Sequence, residues 1–146
     1  MPTPESDESP DPGPKPMMAH LRDIVIDCAH PAALARFWAA ALEDHAVAPY
    51  DEQELQRLRA IGIDDPEDDP TVLVVGPPHL PRLWFQKVPE PKSAKNRVHL
   101  DLACDDDAAE VTRLVALGAR IADHQPNDAL IWMEDPEGNE FCVLRP

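Results

Sequence analysis

The sequence predicts an α+β fold in which paired βαβββ modules form two curled, mostly antiparallel sheets around a cleft. Two observations predict it. The last third of the chain holds a strand that begins near Arg97, one short helix, and a closing strand after a turn at 135–139. An earlier stretch, roughly residues 20–89, can be interpreted as a second copy of that unit. A duplicated unit of this kind typically places a small-molecule pocket between its two sheets.

The composition limits what class of protein this is. A length of 146 residues suits one domain with a sizeable core. The net charge of −15 argues against nucleic acid and anionic membrane surfaces as partners. Three cysteines without CxxC spacing favour reduced thiols in a cytoplasm. No apolar run approaches the ~20 residues of a membrane span, and the N-terminal residues contain no apolar h-region, so secretion is not expected.

The chain divides into a tail and one domain. Residues 1–17 are rich in proline and charge and contain no aromatic or branched aliphatic side chain. Such a segment buries too little apolar surface to offset its ordering entropy, so we predict a disordered tail. Residues 18–146 form the single domain, with module one at 18–90 and module two at 96–146.

Module one begins with a predicted strand from His20 to Cys28, in which apolar and polar residues alternate. Pro31 occupies a favoured first-turn position for a helix. Apolar residues at helical spacing then predict an amphipathic helix that packs on the sheet, namely Leu34, Phe37, Trp38, Ala41 and Leu42. An Asp-x-x-Glu start at Asp51 predicts a second helix that ends near Gly62.

The rest of module one is a loop and two strands. The run from Asp64 to Pro70 contains five acidic residues and two prolines, and we interpret it as a solvated loop. It lacks the spaced oxygen ligands and central glycine of a calcium-binding loop. Strands are predicted at Thr71–Val75 and Leu83–Val88.

Module two repeats this order. A strand is predicted at 97–104, and an acidic start at 105–107 predicts a helix with Gly118 after its end. Its predicted buried stripe is Val111, Leu114 and Val115. Strands near 119–124, 129–134 and 139–144 complete the module, and a Pro-Glu-Gly-Asn turn precedes the last of them.

Several segments together carry a family resemblance: Leu21 to Cys28 running into Pro31 to Trp38, Leu83 to Pro89, Lys95 to Leu102, and Asp135 to Cys142. This pattern resembles the vicinal-oxygen-chelate superfamily, and within it the glyoxalase-like proteins of the glyoxalase/bleomycin resistance/dioxygenase type. The resemblance covers about residues 19–146. It implies the fold and not a reaction, because the superfamily hosts isomerases, dioxygenases, epimerases and drug-sequestering proteins.

The resemblance also implies where a metal would bind. In metal-using members each half contributes one ligand from its first strand and one from its last strand. Carried over, these positions hold Asp23, Gln86, His99 and Cys142. Zinc accepts His, Cys and carboxylate ligands, whereas iron or nickel would want more carboxylate or imidazole. Cys142 stands where a glutamate is usual, so the base that such isomerases use is missing.

Each candidate side chain has a structural alternative. His99 is either a ligand or a hydrogen-bonding wall residue, and Cys142 is either a reactive thiol or a small buried residue. Trp84 and Trp132 either offer flat apolar surfaces to a ligand or fill the core. Glu134, two residues after Trp132, lies on the same face of the predicted strand. It is either a polar anchor for a ligand, an acid/base group or a rim residue.

We therefore predict a cytoplasmic protein that binds a small organic molecule in the cleft without a tightly held metal. The superfamily that the chain resembles includes proteins that sequester hydrophobic antibiotics. Dimerisation is common among its members, so the resemblance also implies a possible homodimer. The predicted ligand-binding residues are Trp84, Gln86, His99, Asp101 and Trp132. Whether the protein is an enzyme stays open at this point. The alternatives are a lyase or isomerase of the glyoxalase type around a divalent metal, and metal-free catalysis by His99 with Asp101 or Glu134.

Overall fold

The computed structural model describes residues 11–146, so the first ten residues of the predicted tail lie outside it. Residues 11–22 are exposed and form neither helix nor strand. The first module contains β1 (Asp23–Cys28), α1 (Pro31–Ala41), β2 (Ala46–Val47), α2 (Glu52–Ala60), a short 3-10 helix (Pro66–Asp68), β3 (Thr71–Val75) and β4 (Arg82–Lys87). The second contains β5 (Asp101–Leu102), α3 (Asp107–Leu117), β6 (Arg120–Ile121), β7 (Leu130–Glu134) and β8 (Glu140–Leu144). The helices found in residues 11–146 lack the length and apolar character that a bilayer-spanning helix needs.

Each module forms its own four-stranded sheet, and both sheets have the same strand order. The orders are β1-β4-β3-β2 and β5-β8-β7-β6. In each sheet the first strand runs parallel to the fourth, while the other neighbours are antiparallel. The predicted α+β class with two mostly antiparallel sheets is confirmed.

The strand registers decide which side chains share a face. In the first sheet Val25 lies opposite Trp84, and Asp27 lies opposite Gln86. In the second sheet Cys142 lies opposite both Asp101 and Trp132, which places these three side chains on one face because paired residues point to the same side. The alternate residues of both sheets belong to the core.

The core joins the two modules. Phe37 and Trp38 of α1 pack edge-on with ring centroids 5.3 Å apart, and Trp38 lies 5.1 Å from the ring of Phe141 on β8. Trp38 is 2% exposed, as its predicted core position requires. Since burial of aromatic rings contributes strongly to core packing, these rings hold α1 of the first module against β8 of the second.

The ends of two predicted helices are confirmed by their caps. The Asp51 side chain accepts a hydrogen bond from the Glu54 amide at 2.9 Å, as the Asp-x-x-Glu pattern predicts. The Glu54 carboxylate binds Arg57 instead of closing the capping box. Gly118 follows α3 with a φ of 122°, a conformation that favours glycine.

The sequence-based predictions are wrong in several details. The strand predicted from His20 begins at Asp23, and the strand predicted near 119–124 is reduced to Arg120–Ile121, which is β6. The strand at 97–104 is reduced to Asp101–Leu102, because within residues 11–146 its ladder with β8 contains only the pairs Asp101–Cys142 and Leu102–Val143. Strand β2 has two residues and was not predicted. Val115, placed in the buried stripe of α3, is 45% exposed, whereas Leu114 is fully buried.

The acidic loop is also less solvated than predicted at one position. Asp69 is 2% exposed and accepts a hydrogen bond from the Tyr50 hydroxyl at 2.8 Å and from the Thr71 amide at 2.9 Å. A buried carboxylate needs such partners, so Asp69 belongs to the packing of the loop against the domain.

Candidate functional site

A cavity of about 690 Å³ lies between the two modules. Its lining comes from β1, from the connecting segment between the modules, and from the turn and first residues of β8. Pockets for small organic molecules measure roughly 300–1,000 Å³, so this cavity has room for one.

The walls of the cavity combine apolar and polar groups. Ile24, Ile26 and Phe141 supply apolar surface, and Val25 and Val98 are 52% and 74% exposed. Such exposed apolar side chains beside a cavity are typical of a ligand-binding surface. His99 and Asn96 add hydrogen-bonding groups at the same cavity.

The cavity is acidic. Its lining includes five carboxyl side chains and one lysine. That lysine, Lys92, forms an ion pair with Glu140 at 3.2 Å. Asp27 and Glu90 are exposed, and neither has a salt-bridge partner in the described part of the chain. The net field in the cavity therefore opposes a negatively charged ligand.

Two of the cavity carboxylates hold the modules together. Asp135 accepts a hydrogen bond from the Trp38 indole Nε1 at 3.1 Å, and burial raises the pKa of its carboxyl. Glu137 accepts from the backbone amides of Ala29 and His30, at 2.6 and 3.0 Å, just before α1. The sequence identified this turn but contained no signal for its partners in the other module.

A second feature is a group of side chains around His99. Nε2 of His99 lies 3.3 Å from Oδ1 of Asp101. One donor atom each from His99, Asp101 and Cys142 lies within 4.8 Å of the others. Burial, and secondarily the Asp101 charge, raises the pKa of the Cys142 thiol to about 11, so the thiol is protonated at neutral pH. We call these three residues the His99 cluster.

Trp132 borders the His99 cluster. Its ring centroid lies 5.1 Å from that of the His99 imidazole, and the Lys95 ammonium lies 4.9 Å from the Trp132 ring. The Trp132 Nε1 is buried and has no hydrogen-bond partner among residues 11–146. An unpaired buried donor is costly, so this N–H is available to an acceptor that the described residues do not provide.

The predicted ligand-binding residues thus fall into two groups. His99, Asp101 and Trp132 lie together on the second sheet, whereas Trp84 and Gln86 lie on β4 of the first sheet. Of these five, His99 lines the cavity between the modules. The Glu134 carboxylate, the predicted acid/base candidate, is bound by Arg120.

Of the four positions that the resemblance assigns to a metal, His99 and Cys142 lie together, whereas Asp23 is not part of their group. The Asp23 carboxylate accepts hydrogen bonds from Arg82 Nε at 2.8 Å and from Arg22 Nε at 2.9 Å. The Arg82 guanidinium holds the pKa of Asp23 below its usual range. His99 and Cys142 lie together on the second sheet, with Asp101 as their near neighbour. The sequence placed Asp101 on this face as a ligand-binding residue and not as a metal ligand.

Comparison with known proteins agrees with this architecture. A family profile described as "Glyoxalase-like domain" matches residues 23–144. No curated protein sequence matches the chain.

Similar solved structures include three proteins of the same fold. A hypothetical protein from S. aureus has a TM-score of 0.60 at 12% identity, covering 90% of this chain and 96% of that one. A fosfomycin resistance protein from Listeria monocytogenes has a TM-score of 0.59 at 10% identity, covering 89% and 93%. A glyoxalase/bleomycin resistance protein/dioxygenase family enzyme from Burkholderia phytofirmans PsJN has a TM-score of 0.58 at 15% identity, covering 86% and 97%. At these identities the likeness concerns the fold alone.

Proposed function

Because the chain belongs to the glyoxalase-like domain family, we propose that it binds a small organic molecule in the cavity between its two modules. The observation that carries this proposal is the cavity itself, with its volume of about 690 Å³ and its mixed apolar and polar lining. Exposed Val25 and Val98 would bury apolar surface against a ligand, which contributes about 25 cal/mol per Å². His99 and Asn96 would orient the ligand's polar groups.

The charge of the lining narrows the ligand class. Among residues 11–146 Asp27 and Glu90 have no ion-pair partner, while Lys92 is already engaged by Glu140. A cationic ligand would gain from these carboxylates, and an anionic ligand would be repelled by them. We therefore expect a neutral or cationic molecule with an apolar body.

Three isosteric probes test this proposal. Benzamidine, benzamide and benzoate share one ring and differ in charge. Ligand-observed NMR against the full chain should show binding of benzamidine and benzamide, with benzoate weakest. If none of the three probes binds, the proposed cavity function is wrong; if benzoate binds best, the charge argument is wrong. Native mass spectrometry of gently purified protein would show whether an organic molecule co-purifies.

A matched pair of variants locates the binding. Val98→Trp places a bulky ring in the cavity lining, so binding of benzamidine should be lost. Val115→Trp places the same ring on the exposed side of α3, outside the cavity lining, and should leave binding unchanged. Equal binding by wild type and the Val98→Trp variant would rule out this cavity as the site.

A glyoxalase-type lyase or isomerase is the second candidate function. The closeness of His99, Asp101 and Cys142 favours it, because these donor types bind divalent metals. It would be supported by metal-dependent turnover of a hemithioacetal that His99→Ala abolishes. Metal-free acid/base catalysis would use His99 with Asp101, since Glu134 is engaged by Arg120. The expected homodimer and cytoplasmic location stay predictions.

A further inference from the structure

We propose that His99, Asp101 and Cys142 bind a thiophilic divalent ion of the zinc type, with all protein donors supplied by the second module. This site differs from the four-position set spread over both modules, because Asp101 supplies the carboxylate in place of Asp23. It shares His99 with the cavity lining, but Asp101 and Cys142 lie outside that lining, and its test requires no organic ligand.

The geometry is close to what tetrahedral coordination requires. Zinc bonds of about 2.0–2.3 Å place neighbouring donor atoms roughly 3.3–3.8 Å apart. His99 Nε2 and Asp101 Oδ1 are already 3.3 Å apart, and all three donors lie within 4.8 Å. Coordination would require these donor atoms to approach one another by at most about 1–1.5 Å.

The backbone holds two of the three donors in register. Asp101 lies directly opposite Cys142 in the parallel pair of β5 and β8. The Cys142 backbone amide donates a hydrogen bond to the Leu100 carbonyl at 2.9 Å, next to this pair. Donors on paired strands need little ordering on binding, so the metal would meet a largely formed site.

The donor chemistry favours zinc over magnesium or calcium. A thiolate and an imidazole are poor ligands for hard cations and good ligands for zinc. Cys142 would bind as the thiolate, so each bound ion displaces one thiol proton to solvent. The charges of the thiolate and the Asp101 carboxylate would then balance those of the ion.

Exposure differs among the three donors in a way that leaves one coordination position open. The side chains of His99 and Asp101 are 35% and 46% exposed, whereas Cys142 is fully buried. The ion would therefore rest on the buried sulfur and face solvent on the opposite side. Three protein ligands and one open position are the arrangement of catalytic zinc sites.

Cobalt(II) titration of the full chain tests the proposal. Tetrahedral cobalt bound to a thiolate gives an intense near-ultraviolet charge-transfer band, which nitrogen and oxygen donors do not produce. The band should saturate at one ion per chain and disappear on addition of zinc. It should be lost in Cys142→Ser and retained in the matched control Cys104→Ser, whose thiol donates to the Leu144 carbonyl.

Two further variants keep the test decisive if the buried Cys142 position tolerates serine poorly. His99→Gln and Asp101→Asn change half-exposed side chains, and each should weaken cobalt affinity at least about tenfold with an unchanged circular dichroism spectrum. Absence of the charge-transfer band in folded wild-type protein would overturn the proposal. So would cobalt affinity that neither variant changes. Binding of benzamidine is measured without metal, so failure of the cobalt test and failure of the cavity proposal are distinguished.

Discussion

The indole Nε1 of Trp38 donates a 3.1 Å hydrogen bond to Oδ2 of Asp135, linking the helix of the first module to the closing turn of the second. Both residues are buried, at 2% and 4% exposure. Asp135 also accepts from the Glu137 and Asn139 amides, so one carboxylate shapes the turn and binds the neighbouring module. The cavity lies beside this contact and has both residues in its lining. Loss of the contact should therefore affect both stability and ligand binding.

Trp38→Phe should lower the free energy of unfolding by more than the loss of ring size alone would cause. The variant keeps an aromatic ring in the core but leaves Asp135 without one of its donors, which costs about 1–3 kcal/mol. Urea denaturation measures the free energy of unfolding. Trp84→Phe is the control, because Trp84 is half-buried and outside the cavity lining. Equal losses in the two variants would contradict a role for the hydrogen bond.

Glu137→Gln should loosen the start of α1. The carboxylate accepts two backbone amides there, and an amide side chain can accept only one of them. We expect a loss of about 1 kcal/mol in the free energy of unfolding, as for a weakened helix cap. Hydrogen exchange of the Ala29 and His30 amides should accelerate. Glu90→Gln removes a carboxylate from the same cavity and should leave this exchange unchanged.

Glu110→Gln should change the pH dependence of stability. Arg113 Nε donates to Glu110 at 3.0 Å and holds the pKa of this carboxyl below its usual value of 4.5. A depressed folded pKa stabilises the protein above the unfolded pKa, and this stabilisation is lost as the pH falls through the folded value. The free energy of unfolding of the variant should be about 0.3–1 kcal/mol lower than that of the wild type at neutral pH. In strong acid the two proteins should not differ in this respect. Glu43→Gln, at an exposed residue for which the described chain shows no ion pair, should show no such pH dependence.

The Asp23→Asn variant tests whether Asp23 is a structural carboxylate or a metal ligand. The Asp23 side chain is held by Arg82 and Arg22 on the first sheet, away from the His99 cluster. Cobalt affinity in this variant should equal that of the wild type, whereas Asp101→Asn should weaken it. Isothermal titration calorimetry of both variants compares them directly. A comparable loss of cobalt affinity in Asp23→Asn would instead support the ligand set that spans both modules.

Much of the fold was predictable because local patterns report local structure. The apolar spacing from Leu34 to Leu42 predicted α1, and the Asp51 start predicted the cap of α2. The largest errors in strand bounds fell at β2, β5 and β6, which are two-residue edge strands. Their hydrogen bonds depend on a neighbouring strand, and alternation along the chain does not show where that neighbour ends.

The site was predictable only in part. Sequence spacing placed His99 and Asp101 on one face, since residues two apart on a strand point the same way. It could not show that Arg82 engages Asp23 or that Arg120 engages Glu134, because these ion pairs join distant positions on different strands.

The sequence by itself determined the duplicated α+β plan, the acidic character of the protein and the His-x-Asp spacing before β8. Only the tertiary structure decided which donors come together. Packing α1 against both modules opens the cavity beside Trp38 and Asp135, and strand pairing brings Cys142 under Asp101. Such contacts depend on distances between remote segments, which are settled by packing in three dimensions and not by local periodicity.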